Sequence, residues 1–427
     1  MPLTLLHTAD WHLGRNLEGF NRFAEETAVL EELCTLAEER QAQMVLVAGD
    51  IYDTYNPGKA AEHLFFEYLE RLAGNRERLV VVIAGNHDQA QRLQAVAGWG
   101  SRLGIVVVGE WQGAANPIET PRYRVRALQE PHLLRVDFAQ QPECPLYLLP
   151  TPFVNLGRLG DALQDEEQLG PFLQRHWQAQ LAQIPEPPGE RIALLVSHLF
   201  AQADTGHQPE ESDSERGISL GGAQVVYGAH FPPELDYVAL GHLHRPQTLT
   251  VGHSTVRYAG SLLAHSLSEK EQEKSVTEVS LTPGQPAELT THPLQAGYPI
   301  RELTAASYQE ALELLMANPE YYVHLKIWVK DYLGSGQQRE LKAAHPRLLA
   351  IEPLLENAYQ SPEESLHLEQ EDLLEPRKLF PRFYRHSHNG QDPPEEVLQL
   401  FEHIYEGGLP DESELAPPRF NEGITRE

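Results

Sequence analysis

Short, uninterrupted apolar runs alternate with amphipathic stretches along the first 110 residues. The runs "LTLLHT" (3–8), "MVLVAGD" (44–50), "LVVVIAG" (79–85) and "GIVVVG" (104–109) are short and largely apolar, so they are predicted to be strands covered on both faces. Between them, residues 23–40 and 58–72 carry helical spacing, with Leu64, Phe65, Tyr68, Leu69 and Leu72 on one stripe. A strand–helix–strand rhythm of this kind implies a parallel sheet. Further runs at 144–150, 191–198, 236–242, 254–260 and 275–281 follow at spacings that look like those of hairpins. The expected result is an α/β domain with a mixed sheet or two packed sheets.

The pattern changes near "TPGQPAE" (282–288). A smaller unit is predicted beyond it: strand "YPIREL" (298–303), helix "SYQEALELLMANP" (307–319), strand "YYVHLKIWV" (321–329), helix "GQQRELKAAHPR" (336–347) and strand "LLAIEPL" (348–354). The last segment is acidic and Pro-rich. It holds two amphipathic helical patterns, one with Leu379, Phe380, Phe383 and Tyr384, the other with Val397, Leu398, Phe401, Ile404 and Tyr405. The domains are therefore expected at 1–281, 282–356 and 357–427.

Composition narrows the function. With 33 Lys plus Arg against 62 Asp plus Glu, the net charge is -29, which argues against a broad basic face that grips nucleic acid unaided. Arg15, Arg22, Arg92 and Arg245, beside the motifs described next, are the candidates for local DNA contacts. From Ile351 to Glu427 there are 18 acidic residues and 6 basic ones, in keeping with a solvated tail or an interaction surface. Cys34 and Cys144 are the only cysteines, too few for a disulfide scaffold or a thiolate zinc module, and a reducing cytoplasm is the expected compartment. The apolar runs are too short for a membrane span, and the first residues lack the basic and apolar regions of a signal peptide.

The chemistry sits where the apolar runs stop. "TADWH" places Asp10 and His12 after the first strand, "VAGD" places Asp50 after the second, and "AGNHD" places Asn86, His87 and Asp88 after the third; "VSH" ends in His198, and "LGHLH" supplies His242 and His244. Parallel strands of an open α/β sheet point their carboxyl ends at one crevice, where ligands bind. Carboxylate and amide oxygens with imidazoles, and no thiolate, suit manganese, iron or zinc with open positions. A carboxylate shared by two cations would hold them at the separation phosphoester chemistry requires, and Asp50 is the candidate bridge. His7, His63, His132, His230 and His253 stand alone in the pattern and read as surface or core histidines.

The segments "DWHLG", "GDIYD", "GNHD", "SH" and "GHLH" resemble the five ordered motifs of the calcineurin-like metallophosphoesterases. With "SDSERGI" (212–218), "DYVALGHLHRPQ" and "VRYAGSLLAHSLSE", the likeness extends to the SbcD-type nuclease subunits of bacterial DNA-repair complexes. It is strong over residues 1–270 and one of layout beyond. The resemblance implies a metallophosphoesterase sandwich of two mixed sheets flanked by helices, a small α/β capping domain and a helical C-terminal tail.

It further implies one divalent cation on Asp10, His12, Asp50 and His244 and a second on Asp50, Asn86, His198 and His242, with manganese the foremost candidate. His87 would then face the scissile phosphate as the catalytic group rather than a ligand. Asp88 would orient His87 or cap the next helix. Asp53 replaces a histidine found in some relatives, which leaves its part open. DNA, an SbcC-type ATPase docked on the tail, and a homodimer within a heterotetramer are the implied partners, with 3′-to-5′ trimming and hairpin opening as the implied activities.

The chain contains no G-x-x-x-x-G-K-[ST] loop, so an ATP requirement would come from a partner. The competing readings are a small-molecule or cyclic-nucleotide phosphodiesterase on the same centre and a scaffold without catalysis. The additional domain and tail favour the nuclease over the first, and the complete ligand set opposes the second.

Overall fold

The computed structural model describes residues 2–128, 132–159, 168–203, 210, 212–213, 215, 225–251, 254–270, 272–330, 333–355, 376–387, 392–393 and 395–405. Its elements run β1 (Leu3–Thr8), α1 (Phe23–Glu39), β2 (Met44–Ala48), α2 (Lys59–Ala73), β3 (Leu79–Ile83), α3 (Ala90–Ala95), α4 (Ala97–Arg102), β4 (Ile105–Val108), β5 (Ile118–Glu119), β6 (Tyr123–Ala127), β7 (Leu134–Phe138) and β8 (Leu146–Thr151). Then come α5 (Leu156–Leu159), α6 (Leu169–Leu181), β9 (Ile192–His198), β10 (Ala201–Gln202), β11 (Val226–Tyr227), β12 (Tyr237–Gly241), β13 (Gln247–Val251), β14 (Ser254–Tyr258), β15 (Ser275–Leu281) and β16 (Glu288–Pro293). The chain continues through β17 (Ile300–Ala305), α7 (Tyr308–Ala317), β18 (Tyr322–Val329), α8 (Ser335–Ala344), β19 (Leu348–Leu355), α9 (Pro376–Ser387) and α10 (Glu395–Tyr405).

Two mixed sheets carry the large domain. In the first, ordered β16-β15-β1-β2-β3-β4, strands β1 to β4 are parallel and the β15–β16 hairpin adds antiparallel to β1. In the second, ordered β13-β14-β12-β9-β8-β7-β6-β5, the four central strands β14, β12, β9 and β8 are parallel. The hairpin spacing expected from residue 144 onward is therefore corrected: β8, β9, β12 and β14 are joined by crossovers. One of these contains α6, a helix that was not among the elements expected from the sequence.

Alternation along each strand explains why these strands read as apolar throughout. On the first sheet, Leu6, Val45, Val47, Val80 and Val82 face α1 and α2, packing on Leu30, Leu33, Phe65 and Leu69. Their neighbours Leu5, Leu46, Val81 and Ile83 turn inward and meet Val136, Leu148, Leu194, Val196 and Ala239 of the second sheet. The outer face of the second sheet, with Tyr147, Leu149, Ala193 and Leu195, is covered by Leu173 and Trp177 of α6. Helices on both outer faces and a shared inner core fix the sheets as a sandwich, with the carboxyl ends of β1, β2, β3, β9 and β12 at one rim.

The change of pattern near residue 282 corresponds to the turn of the β15–β16 hairpin, so β16 extends the first sheet beyond the expected boundary. The elements predicted after it are present, and β17, β18 and β19 form a three-stranded sheet in that order. Packing divides the chain into two compact units, Met1–Lys326 with Ser335–Glu352, and Ile327–Gly334 with Pro353–Glu427. Within the second, α9 and α10 match the two predicted amphipathic patterns. The rings of Phe380 and Phe401 stack at 4.1 Å and Arg377 pairs with Glu402 at 2.9 Å, while Phe383, Leu400 and Tyr405 stay exposed. Among the described residues no helix is long and apolar enough to cross a membrane.

Helix α1 braces the loop that follows β1. Glu26 is buried, and its Oε1 accepts from the Gly14 N–H at 2.9 Å, while among the described residues Oε2 has no hydrogen-bond partner. Burial pushes this carboxyl up to about 7, against the opposing pull of the Gly14 N–H and Arg22. Below pH 4.5 it is protonated in both folded and unfolded chains and contributes nothing. From 4.5 to 7 the folded chain keeps a proton that the unfolded chain releases, so stability falls as pH rises, and the penalty is complete above 7. Glu26→Gln keeps an acceptor for Gly14 and removes the charge. Urea titrations across pH 4 to 9 are expected to show the variant overtaking the wild type as pH rises through this window, by at most about 3 kcal/mol above pH 7.

Candidate metal centre

Three loops from the first sheet and two strand ends from the second meet at this rim. The loop after β1 is tied to the loop after β2 by backbone bonds from Asp10 N to Gly49 O (3.0 Å), His12 N to Asp50 O (3.1 Å) and Leu13 N to Ile51 O (2.9 Å). These bonds require unusual backbone. Asp10, His12, Asp50 and His242 have φ of 52°, 45°, 49° and 107°, all in the left-handed region that non-glycine residues rarely enter. Four such residues gathered at one place mark a site whose surroundings hold the strain.

Close approach explains two of the glycines that precede the polar residues. A Cβ on Gly85 would stand 2.1 Å from Asp50 Oδ1, and one on Gly241 would stand 2.0 Å from the Ala48 carbonyl. Only hydrogen fits at either position.

The side chains then converge. His12 Nε2 lies 3.1 Å from His244 Nε2 and 3.7 Å from Asp50 Oδ2. His198 Nε2 lies 2.8 Å from Asn86 Oδ1 and 3.5 Å from Asp50 Oδ2. Asp50 thus stands between the two histidine groups, and its Oδ1 accepts from the His87 N–H at 2.8 Å. Ligand-capable atoms of Asp10, His12 and His244, and of Asp10, Asp50 and His198, fall within 4.8 Å of one another. The His242 N–H donates to Asp10 Oδ1 at 3.0 Å, and its ring centroid is 5.5 Å from that of His198. All the sequence-predicted side chains are therefore at one rim, although the imidazole of His242 belongs to neither tight group.

Charge and burial show what this place accommodates. Asp10, His12, Asp50, His198, His242 and His244 are all buried. Burial pushes the Asp10 carboxyl well above its usual range, with the Asp50 charge adding to it and His198 opposing. Burial would raise Asp50 as well, but His198, His12 and His87 hold it well below. Burial lowers His198, yet Asp50 and Asp10 overcome that and lift it to about 9. Burial holds His12, His242 and His244 below their ordinary value, so their lone pairs are available at neutral pH.

Two carboxylates this close repel by roughly 3 kcal/mol at an effective dielectric of 20, and positive charge between them relieves it. The neutral imidazoles of His12, His242 and His244, with carboxylates and an amide oxygen around such a place, fit divalent cations of the manganese, iron or zinc type.

A supporting layer orients these groups. Nδ1–H of His198 donates to the Ala48 carbonyl at 2.9 Å, which aims Nε2 inward. His244 Nδ1–H donates to Glu269 Oε1 at 3.1 Å, and its backbone N–H donates to Glu215 Oε1 at 2.6 Å. Glu269 is anchored by the buried Lys274, whose Nζ donates to its Oε2 at 2.6 Å and to the His244 carbonyl at 3.1 Å. Burial would raise Glu269, but Lys274 and His244 hold it far below the usual carboxylate range. Partners of this kind fix ring orientation and raise ligand basicity.

His265, also buried, packs its ring 4.9 Å from that of His12 and 5.1 Å from that of His244. Glu215 and Glu269 belong to the segments "SDSERGI" and "VRYAGSLLAHSLSE", which carried the resemblance without suggesting a role. Of the first segment only Ser212, Asp213 and Glu215 are described.

Several expectations are corrected here. Asp88 neither orients His87 nor caps the next helix. Its carboxylate accepts the N–H groups of Gly85 (2.8 Å), Ile51 (3.1 Å) and Tyr52 (3.0 Å), locking the loops that carry Asp50 and Asn86. His87 is oriented by Asp53 instead, whose main-chain carbonyl accepts from Nδ1–H at 2.7 Å; the Asp53 carboxylate pairs with Arg15 at 3.1 Å.

Arg22 is no DNA contact, because it is buried against Glu25 and the Ala264 carbonyl. Arg92 pairs with Glu62 and Arg245 with Glu210. His7 is a core residue bonded to Tyr237 Oη at 2.8 Å, His63 sits exposed beside Glu67, and His132 stacks on Trp111. His230 accepts from the Tyr227 N–H, and His253 lies outside the described residues.

Gly85→Ala is expected to force Asp50 and Asn86 apart, costing a few kcal/mol of stability and at least tenfold in manganese affinity by calorimetry. Unchanged affinity would contradict this geometry.

The sequence model for the calcineurin-like phosphoesterase family matches residues 3–131. Three curated relatives are named as the SbcD component of the nuclease SbcCD. The Bacillus subtilis protein is 34% identical over 95% of this chain and 98% of its own length. The Rhodobacter capsulatus protein is 32% identical over 73% of this chain and 76% of its own. The Staphylococcus epidermidis protein is 26% identical over 82% and 85%. With a match at this identity along nearly its whole length, and with a buried His/Asp cluster fit for divalent metal at the rim of a two-sheet sandwich, the chain belongs to the SbcD nuclease family of calcineurin-like phosphoesterases, metal-dependent hydrolases of phosphodiester bonds.

Proposed function

We propose that the chain is a two-cation DNA nuclease that works with an SbcC-type ATPase on double-strand ends and hairpins in repair, replication and recombination. One cation would be held by Asp10, His12, Asp50 and His244, the other by Asp50, Asn86, His198 and His242, with manganese as the metal. The observation that carries the reading is the placing of Asp50 Oδ2 between His12 Nε2 (3.7 Å) and His198 Nε2 (3.5 Å), where one carboxylate reaches both halves of the cluster. Bound there, a pair of divalent cations would neutralise the phosphodiester oxygens and lower the pKa of an attacking water.

The chain's own residues supply the rest. Asp53 fixes Nδ1–H of His87, which leaves Nε2 as the atom that faces the scissile phosphate. Water attacks phosphorus as the bond to the leaving oxygen breaks; that oxygen would take the proton on His87 Nε2, and the proton given up by the water would return to His87 to complete the cycle. The carbonyl of Asp53 and the Asp50 carboxylate together hold the residue by ring and backbone, so the proton is delivered from a fixed position.

The remaining parts of the proposal follow the family likeness. Residues 1–281 carry catalysis, 282–356 form a capping domain apart from β16, which completes the first sheet, and 357–427 dock the ATPase in the cytoplasm, two nuclease subunits forming a homodimer within a heterotetramer. The exposed Phe383, Leu400 and Tyr405 support a docking role for α9 and α10, and the naming of the relatives as one component of SbcCD speaks for a chain that works with a partner. Trimming from 3′ to 5′ and opening of hairpins are the proposed activities.

With manganese, and with and without the ATPase, the chain is expected to cut double-stranded ends, hairpins and bis-p-nitrophenyl phosphate. His87→Ala should retain manganese affinity and lose roughly 10²- to 10⁴-fold in kcat, while Asp50→Asn should lose both. Cleavage of the small ester alone, even with the ATPase present, would replace this reading with a small-molecule phosphodiesterase. Loss of metal in His87→Ala would overturn the division between ligand and proton donor.

A further inference from the structure

The turn Gly85–Asp88 presents Asn86 and His87, and its backbone is gripped from three directions. The Asp88 carboxylate takes N–H groups within and beside it, and the Asp50 carboxylate takes the His87 N–H. The third grip comes from the other sheet. Arg158, on α5 just beyond β8, donates from Nη1 to the carbonyls of Gly85 (3.2 Å) and Phe153 (3.1 Å) and from Nη2 to the carbonyl of Asp88 (2.9 Å). Its guanidinium lies 4.9 Å from the centre of the Phe153 ring, and the Phe153 N–H donates to the Ala84 carbonyl at 2.8 Å.

We propose that Arg158 is a positioning residue for phosphodiester hydrolysis, spanning both ends of the Gly85–Asp88 turn so that Asn86 and His87 are held in register with the side chains of the second sheet. This rests on the two-cation nuclease reading above. The geometry suits a guanidinium and no other side chain. Its fork has several donors in one plane, and here they reach three carbonyls on two segments that start from different sheets. A lysine ammonium could reach one or two of them but could not bridge the turn.

Among the described residues no carboxylate pairs with Arg158, so its bonds to carbonyl oxygens are the interactions that place it. Burying the ends of the turn beside the cluster would otherwise leave the carbonyls of Gly85 and Asp88 without these donors. A shift of about 1 Å in a catalytic group can cost on the order of a hundredfold in rate, and the two residues at stake are a proposed ligand and the proposed proton donor.

The test uses the full chain with manganese, hairpin DNA and bis-p-nitrophenyl phosphate, comparing wild type with Arg158→Lys, Arg158→Gln and Arg158→Ala. On both substrates kcat should fall roughly ten- to hundredfold, with KM within about twofold of wild type and calorimetric manganese affinity falling by much less than kcat. Arg158→Lys should show no recovery, and millimolar guanidinium should partly restore Arg158→Ala.

Thermal melts identify any variant that fails to fold, and Arg158→Lys, the mildest change, then decides the matter. Wild-type kcat in Arg158→Gln, or a loss confined to KM that lysine repairs, would overturn the inference, the latter by making Arg158 a simple phosphate attractor. So would a fall in metal affinity equal to the fall in kcat. A wild-type chain inactive on every substrate would instead overturn the underlying nuclease reading.

Discussion

Two buried carboxylates that cannot both stay ionised without positive charge between them are the constraint on which the structure turns. Asp10 and Asp50 lie in the same cluster, and the protein splits their behaviour, one held high and the other low. Putting them there demands left-handed backbone at four residues, glycines where any Cβ would collide, and loops tied by hydrogen bonds on every side. A fold that sought only stability would place apolar groups at this rim. The sandwich instead supplies rigid strands whose ends can hold a strained, charged cluster, and divalent cations are the partners that resolve its electrostatics.

The architecture explains why the work is divided between two sheets. The first contributes the carboxylates, the amide and the imidazoles of His12 and His87 through loops after β1, β2 and β3, and the second contributes the imidazoles of His198, His242 and His244 at the ends of β9 and β12. Asp50 bridges them at the centre. Around this, Glu215, Glu269 and Lys274 steady His244, the Ala48 carbonyl steadies His198, and Asp53 steadies His87. The chain carries a net charge of -29, and the arginines nearest the motifs are engaged by its own carboxylates, so the positive charge beside the cluster is already committed within the fold.

Much of this was legible before any coordinates. The strands at 44–48 and 79–83 were readable because every position is apolar, and the polar residues that close them stand out by contrast. The tail helices showed in their aromatic spacing. What could not be read were relations between distant segments. Crossovers and hairpins share similar spacings, so the parallel pairing of β8, β9, β12 and β14 stayed hidden. The part of Asp88 stayed open between orienting His87 and capping a helix, because its three N–H partners are set by the meeting of two loops. Glu215, Glu269 and Arg158 follow no local rule, since each acts on a backbone or ring that only the fold brings near, and Arg22 lay beside a motif yet is buried against Glu25.

The most direct measurement is anomalous diffraction from a crystal soaked in manganese. Two peaks flanking the Asp50 carboxylate, one beside His12 and His244 and the other beside Asn86 and His198, are the result this account requires. A single peak that leaves half of the cluster without metal, or none at this rim, would contradict it.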